Sequence, residues 1–280
     1  MSPLDAAKES LKVFFRTRGR VLGASIAFYA MLSVAPMLLI ALRIAAVATR
    51  RASARDTLLA EIARWVGTAG ARTIGAIVDR SAQASSGTVA SVVGGVVLVY
   101  SATRLFSAIE YALDAMWEVT TSEGGGMKDK AIRQLRKRGA AFVVVFVLAI
   151  VLLLLQGLRT ALAIVSAWAP DAPDVSHAAE AGLSFVVTSL LFFFLFKTLP
   201  SAKVGMRDAI VGALVTAALF TVGTTLVGAY LGARDVARGW GDAGAVVVLL
   251  VWVHYSAQIF LLGAAYTGVR ARASGSLRER

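Results

Sequence analysis

Apolar residues in this chain come in long blocks. They do not alternate with polar ones at the strand period, nor leave the polar stripe of a surface helix. A helix needs about 20 mostly apolar residues to cross about 30 Å of hydrocarbon. Six stretches meet that length: Val21–Ala48, Thr88–Ile109, Ala140–Ala163, Ala181–Leu199, Ala209–Leu231 and Ala243–Val269. The third contains FVVVFVLAIVLLLL, and the fourth contains LLFFFLF at Leu190–Phe196. Runs without a polar face are what lipid-facing helices look like. The core of a large soluble protein also holds such helices, but six of them here would leave too little polar chain to cover them. The pattern predicts an all-α, polytopic membrane protein with six transmembrane helices.

The polar remainder divides the chain into a basic head (1–20), the membrane domain (21–269) and a basic tail (270–280). The loop at 50–87 is too polar to span. It places Leu58, Leu59, Ile62, Trp65, Val66 and Ala69 at helical spacing, with Arg55, Glu61, Arg64 and Arg72 largely off that stripe. This predicts amphipathic helices lying in the interface or capping the bundle. The loop at 120–138 joins a Glu123-Gly-Gly-Gly joint to the basic run Lys128–Arg138. The first span is too long for a cleavable signal, and no small-residue cleavage site leads into a polar mature domain.

Composition agrees with this pattern: 58% of residues are hydrophobic and 16% charged, against about 45–50% and about 25% in ordinary soluble domains. The chain has no cysteine, which excludes disulfides, thiolate nucleophiles and zinc–thiolate or iron–sulfur sites. Charge is less ordinary. Lys and Arg number 29 against 17 acids, for a net +12. The basic residues sort by side. Lys8, Lys12, Arg16, Arg18 and Arg20, the Lys128–Arg138 run, Lys203 and Arg207, and Arg270, Arg272, Arg278 and Arg280 fall on one face. They outnumber the basic residues of the other face about two to one, so the positive-inside rule puts both termini in the cytoplasm. The basic run should lie against anionic headgroups, worth about 1 kcal/mol per charge near the surface. No aromatic platform or RNA-binding motif accompanies it, so no nucleic-acid partner is expected.

Ionisable groups at membrane depth are functional candidates by default. They are Arg43, Arg104, Arg159, Lys197 and His254, with neutral Gln156 and Gln258. Lys197 and Arg159 lie near span ends, where they can snorkel to the surface. Arg104 sits in the polar patch Tyr100-Ser101-Ala-Thr-Arg-Leu-Phe-Ser, where it either snorkels or faces an aqueous cavity. His254, between Trp252 and Tyr255, reads as an interhelical hydrogen-bonding residue before a proton relay. Pro36, three residues after Ser33, kinks the first span and frees a backbone carbonyl. That is either a packing device or the broken helix of a transport site. Small residues, among them Gly94-Gly95 and the pair Gly228 and Gly232, permit close helix approach within or between chains and leave a homo-oligomer open. The triplet Tyr-Ser-Ala occurs at both Tyr100–Ala102 and Tyr255–Ala257, a hint that both face one interior.

Four blocks, in order, resemble the YihY/BrkB family of bacterial inner-membrane proteins, once labelled ribonuclease BN. They are Ala24-Ser-Ile-Ala-Phe-Tyr-Ala-Met-Leu-Ser-Val-Ala-Pro36; Tyr100–Phe106 with Tyr111-Ala-Leu-Asp-Ala-Met-Trp117; Leu199-Pro200, Arg207-Asp208, Gly212-Ala213 and Gly228-Ala-Tyr-Leu; and Gly241-Asp-Ala-Gly with Leu250–Gln258 and Leu262-Gly-Ala. The resemblance runs from about Phe14 to Ala271 and implies an integral membrane role. Where the family has asparagine and glutamate, this chain has Asp114 and Ala265. The second exchange removes a membrane carboxylate, for which Glu110 is a candidate substitute.

Phosphodiester hydrolysis needs a metal site or a paired acid and base. The two histidines, His177 and His254, lie on a loop and mid-span, and no carboxylates stand at ligand spacing. The expectation is no enzyme, no catalytic residue, no metal and no cofactor. Basic residues at depth with few carboxylates favour an anionic ligand. The leading expectation is a transporter or flippase-like protein for an anionic or amphipathic substrate, with Arg104, Tyr100, Ser101, Arg43, His254, Tyr255 and Gln258 as candidate contacts and Ser33 and Pro36 at the kink. The alternative is a non-transporting membrane scaffold or envelope-integrity protein.

Overall fold

The computed structural model describes residues 2–33, 75, 88–119, 175–233 and 244–278. Within them every regular element is a helix: α1 (Pro3–Arg16), α2 (Gly19–Ser33), α3 (Thr88–Met116), α4 (Val175–Thr198), α5 (Met206–Ala233) and α6 (Gly244–Ala273). Three helices carry segments long and apolar enough to cross a membrane, Ala181–Thr198, Met206–Val227 and Val246–Ala273. They fall on the fourth, fifth and sixth predicted spans. The expected third span, the rest of the first beyond Ser33, the outer loop apart from Gly75, and the basic run at 128–138 lie outside the described residues. The chain divides into two compact units, one of residues 1–19, 110–221 and 259–280, the other of 20–109 and 222–258.

The first unit is built on a close contact between α5 and α6. Gly212 packs against Thr267, and Gly263 packs against Thr216. A Cβ on Gly212 would lie 2.7 Å from Thr267 Cγ2, and one on Gly263 would lie 2.6 Å from Thr216 Cγ2. Each helix thus supplies one gap and one knob, four residues apart. Both threonines are fully buried. Their hydroxyls are satisfied within their own helices: Thr216 Oγ1 donates to Gly212 O at 2.6 Å and Thr267 Oγ1 to Gly263 O at 2.9 Å. With no hydroxyl left seeking water, the threonine side chains, hydroxyl and methyl together, fill the gaps. Such small-residue contacts hold helices together where water supplies no hydrophobic drive.

Aromatic packing completes this core. Phe192 and Phe196 of α4 stack with Phe260 of α6 at centroid distances of 5.6 and 5.8 Å. Phe220 of α5 meets Phe192 edge-on at 5.4 Å. Trp117, just past α3, is fully buried beside Phe196. A buried indole N–H needs an acceptor, and Trp117 Nε1 donates to Ala264 O at 3.0 Å. Gly268 makes room for the ring, since a Cβ there would lie 2.6 Å from Trp117 Cδ1.

Helix α1 starts at Ser2, whose Oγ accepts the Asp5 N–H, with Pro3 at the first turn. This cap satisfies a backbone donor that the helix leaves unmade. Ala6, Ser10, Val13 and Phe14 form its buried face. Helices α3 and α6 end in the same way. The Val119 N–H reaches Asp114 O at 3.0 Å, and the Ser276 N–H reaches Ala271 O at 2.9 Å. The residue between takes a left-handed conformation, Gly275 at φ 68° after α6 and Glu118 at φ 53° after α3. A non-glycine residue there costs about 1–2 kcal/mol.

The α5–α6 contact makes a sharp prediction. Gly212→Ala should lower the stability of the purified protein by about 1–3 kcal/mol, read as a fall in thermal unfolding midpoint in detergent. Adding Thr267→Ala should recover only part of this loss, because the Thr267 Cβ itself stands 2.8 Å from the new methyl.

Candidate functional site

Two polar groupings stand out, one in each unit. The first gathers chain ends and loops around four carboxylates. Asp208, in the first turn of α5, is 5% exposed. It accepts from Arg270 Nε at 2.9 Å, Ser274 Oγ at 2.5 Å and Ser276 Oγ at 2.6 Å. Three donors from the end of α6 compensate the burial of that carboxylate, and bonds to a charged acceptor are the stronger kind. Glu118 accepts from Arg16 of α1 and from Arg272 of α6. Its left-handed backbone therefore carries a side chain that ties two other helices together.

On α3, Asp114 Oδ1 accepts the Ser201 N–H at 2.8 Å and Glu110 Oε1 accepts from Ser201 Oγ at 3.2 Å. These residues are one helical turn apart, so both carboxylates reach the same loop after Pro200. That loop is held on two further sides. Lys197 Nζ donates to Val204 O at 2.9 Å. Lys203 and Arg278 exchange backbone hydrogen bonds at 2.8 and 2.9 Å. Segments that the charge pattern places on one face of the membrane are thus interlocked. Lys197 thus reaches past the end of its helix to the loop. The basic tail is not a free extension: Arg270 and Arg272 lie in the last turn of α6, and the chain then folds back onto the α4–α5 loop.

The second unit holds most of the residues proposed for ligand contact, as two separate pairs. Arg104 is exposed on α3, its guanidinium carbon 5.3 Å from the Tyr100 ring centroid. Ser101, the next residue, is fully buried. On α6 the Gln258 amide nitrogen lies 2.8 Å from His254 Nε2. An amide nitrogen only donates, so Nε2 accepts. The His254 ring meets Tyr255 edge-on at 5.7 Å, and Tyr255 is itself exposed. Helix α2 comes close here, for a Cβ on Gly23 would stand 3.0 Å from Gln258 Cγ. Ser33 is buried and donates to Ala30 O at 2.7 Å. Pro36 and Arg43 lie outside the described residues. The structure thus forms two pairs, Arg104 with Tyr100 and His254 with Gln258, on two helices.

The sequence reading missed the first grouping. A signal for it was present: Glu110, Asp114 and Glu118 recur every fourth residue at the end of a long apolar helix, among loops otherwise rich in cations.

Long apolar helices whose ends are tied together by carboxylate–arginine pairs define a helical membrane protein. The family described as Virulence factor BrkB matches residues 10–279, and the chain belongs to that family. Among curated relatives, the UPF0761 membrane protein of Enterobacter sp. (strain 638) is 28% identical over 62% of this chain and 57% of its own length. The UPF0761 membrane protein of Klebsiella pneumoniae subsp. pneumoniae is 27% identical over 62% and 58%. The UPF0761 membrane protein YihY of Salmonella arizonae is 28% identical over 62% and 57%. The chain thus spans somewhat more than half the length of these relatives. No solved structure matches it.

The site geometry also suits asparagine at position 114: an amide oxygen there could still accept the Ser201 N–H, though without the charge of the carboxylate. Asp114→Asn should cost under about 1 kcal/mol, and Asp114→Leu about 1–3 kcal/mol by leaving that donor unmet. Asp208→Ala should cost about 1.5–3 kcal/mol, the range for hydrogen bonds to a charged group. Thermal unfolding of the variants in one detergent checks the order.

Proposed function

We propose that this chain crosses the bacterial inner membrane six times with both termini cytoplasmic, and that it moves an anionic, amphipathic, lipid-like substrate without catalysing a covalent step. The observation that carries the reading is Arg104. It lies near the middle of a 29-residue helix, and among the described residues it forms no ion pair. An arginine facing hydrocarbon costs about 2.5 kcal/mol or more, so an aqueous or anionic environment is its stable surrounding. Stacking on Tyr100 occupies one face of the guanidinium and leaves the in-plane N–H donors for a phosphate or carboxylate. The hydrogen-bonded pair His254 and Gln258 supplies further polar contacts on α6. Membrane lipids are the natural partners of such a protein.

A second reading is a non-transporting scaffold or envelope-integrity protein. The interlocked head, loop and tail favour it, since they give a rigid platform rather than a moving gate.

One experiment separates the two. The full chain is reconstituted in vesicles carrying a fluorescent anionic lipid analogue, and leaflet exchange is followed by chemical quenching. Transport predicts protein-dependent exchange that falls at least tenfold in Arg104→Ala, with an unchanged unfolding midpoint, and is partly kept in Arg104→Lys. Exchange no faster than in protein-free vesicles sinks the transport reading.

A further inference from the structure

Helix α1 has two apolar faces, and the first unit uses only one. Ala6, Ser10, Val13 and Phe14 face inward. On the opposite side Leu4 is 73% and Leu11 47% exposed. On a helix of 3.6 residues per turn, positions 4 and 11 lie on one line. Lys8 falls on the same line between them, and Lys12, exposed and within 3.3 Å of Glu9, borders it. Phe15, half-exposed, continues the row. This outer face alternates large apolar groups with ammonium groups.

The level of α1 is set by its contacts. Arg16 shares Glu118 with Arg272 of α6, and Thr17 Oγ1 lies 3.5 Å from Met116 Sδ. Two residues before Arg272, Arg270 holds Asp208 in the first turn of α5. The end of α1 therefore stands where α5 begins and α6 ends. At that level α5 starts its own outward apolar row, Met206, Ile210 and Leu214, all exposed. That row faces lipid in a membrane-spanning helix. One end of α1 thus meets the edge of the hydrocarbon.

We propose that the outer face of α1 is a bilayer-contact surface for an anionic leaflet. Leu4 and Leu11 enter the boundary between headgroups and acyl chains, and Lys8 and Lys12 take headgroup phosphates. The charge pattern decides against a second copy of this chain: a two-fold contact along this row would press Lys8 and Lys12 against their own counterparts. An anionic surface satisfies both the lysines and the leucines between them. This inference does not depend on whether the protein transports anything.

The absence of cysteine makes the test clean. Single variants Leu4→Cys, Leu11→Cys and Glu9→Cys of the full chain are labelled with an environment-sensitive fluorophore. They are reconstituted in vesicles of phosphatidylcholine alone or mixed with phosphatidylglycerol. In the mixed vesicles the labels at positions 4 and 11 should shift to the blue and resist an aqueous quencher, while the label at 9 stays water-like. Lys8→Gln with Lys12→Gln should abolish the difference between the two lipid mixtures and leave Arg16, Arg18 and Arg20 to hold the topology. These positions lie off the buried face, so unfolding midpoints should match that of the unsubstituted chain. Labels at 4 and 11 as water-like as that at 9 in the mixed vesicles overturn the proposal. So does a shift that follows the protein-to-lipid ratio rather than lipid charge, the mark of a second copy.

Discussion

The first unit depends on one antiparallel register between α5 and α6. Gly212 meets Thr267 and Thr216 meets Gly263, so a step of one turn toward the start of α5 is a step of one turn toward the end of α6. The same register, carried one turn further, brings Asp208 within reach of Arg270. Carried past the helix end, it leaves the chain near Ser276 and Arg278 beside Gly205 and Lys203. The packing contact and the ion pair are therefore not independent. A slip of one residue would turn the threonines out of their gaps and move Arg270 off the carboxylate. Because each hydroxyl bonds its own helix, the interface holds no unmet donor, the condition a helix contact in lipid must satisfy.

Around this pair the polar end solves a problem of sidedness. Many positive charges are needed on one face to set topology, yet cations crowded at helix ends repel one another. Four carboxylates divide the task. Asp208 takes Arg270, Glu118 takes Arg16 and Arg272, and Glu110 and Asp114 hold the intervening loop through Ser201. The result ties the head helix, the end of α3, the α4–α5 loop and the tail together. Glu118 shows the balance of forces most plainly. Glycine would relax its backbone, as Gly275 does at the matching place on α6, but glycine has no carboxylate to join two arginines.

Some of this was legible beforehand. The fourth, fifth and sixth spans fall where the apolar blocks put them, because a helix in lipid must be apolar all round and such runs cannot hide in a mixed sequence. The reach of Lys197 out of its helix end follows from its place two residues before Leu199-Pro200. The partners of the arginines were not legible. Arg16, Arg270 and Arg272 counted equally as topogenic charge in the sequence, and nothing local distinguishes a paired arginine from one in contact with headgroups. Gly212 and Gly263 stand in two of the family-like blocks, but nothing local marks them as a packing contact among 25 glycines, because small residues spaced four apart are common in apolar helices.

The sequence by itself determined that this is a helical membrane protein and where three of its long apolar helices lie. Those properties follow from the free energy of placing side chains in hydrocarbon or water, which is set residue by residue. The family follows from the order of its short blocks. Only the tertiary structure decided which carboxylate meets which arginine, why Trp117 is buried against Ala264, and that α1 keeps an apolar row turned away from its core. Those are pairwise properties. They depend on the register of helices far apart in the chain, and no single segment carries that information.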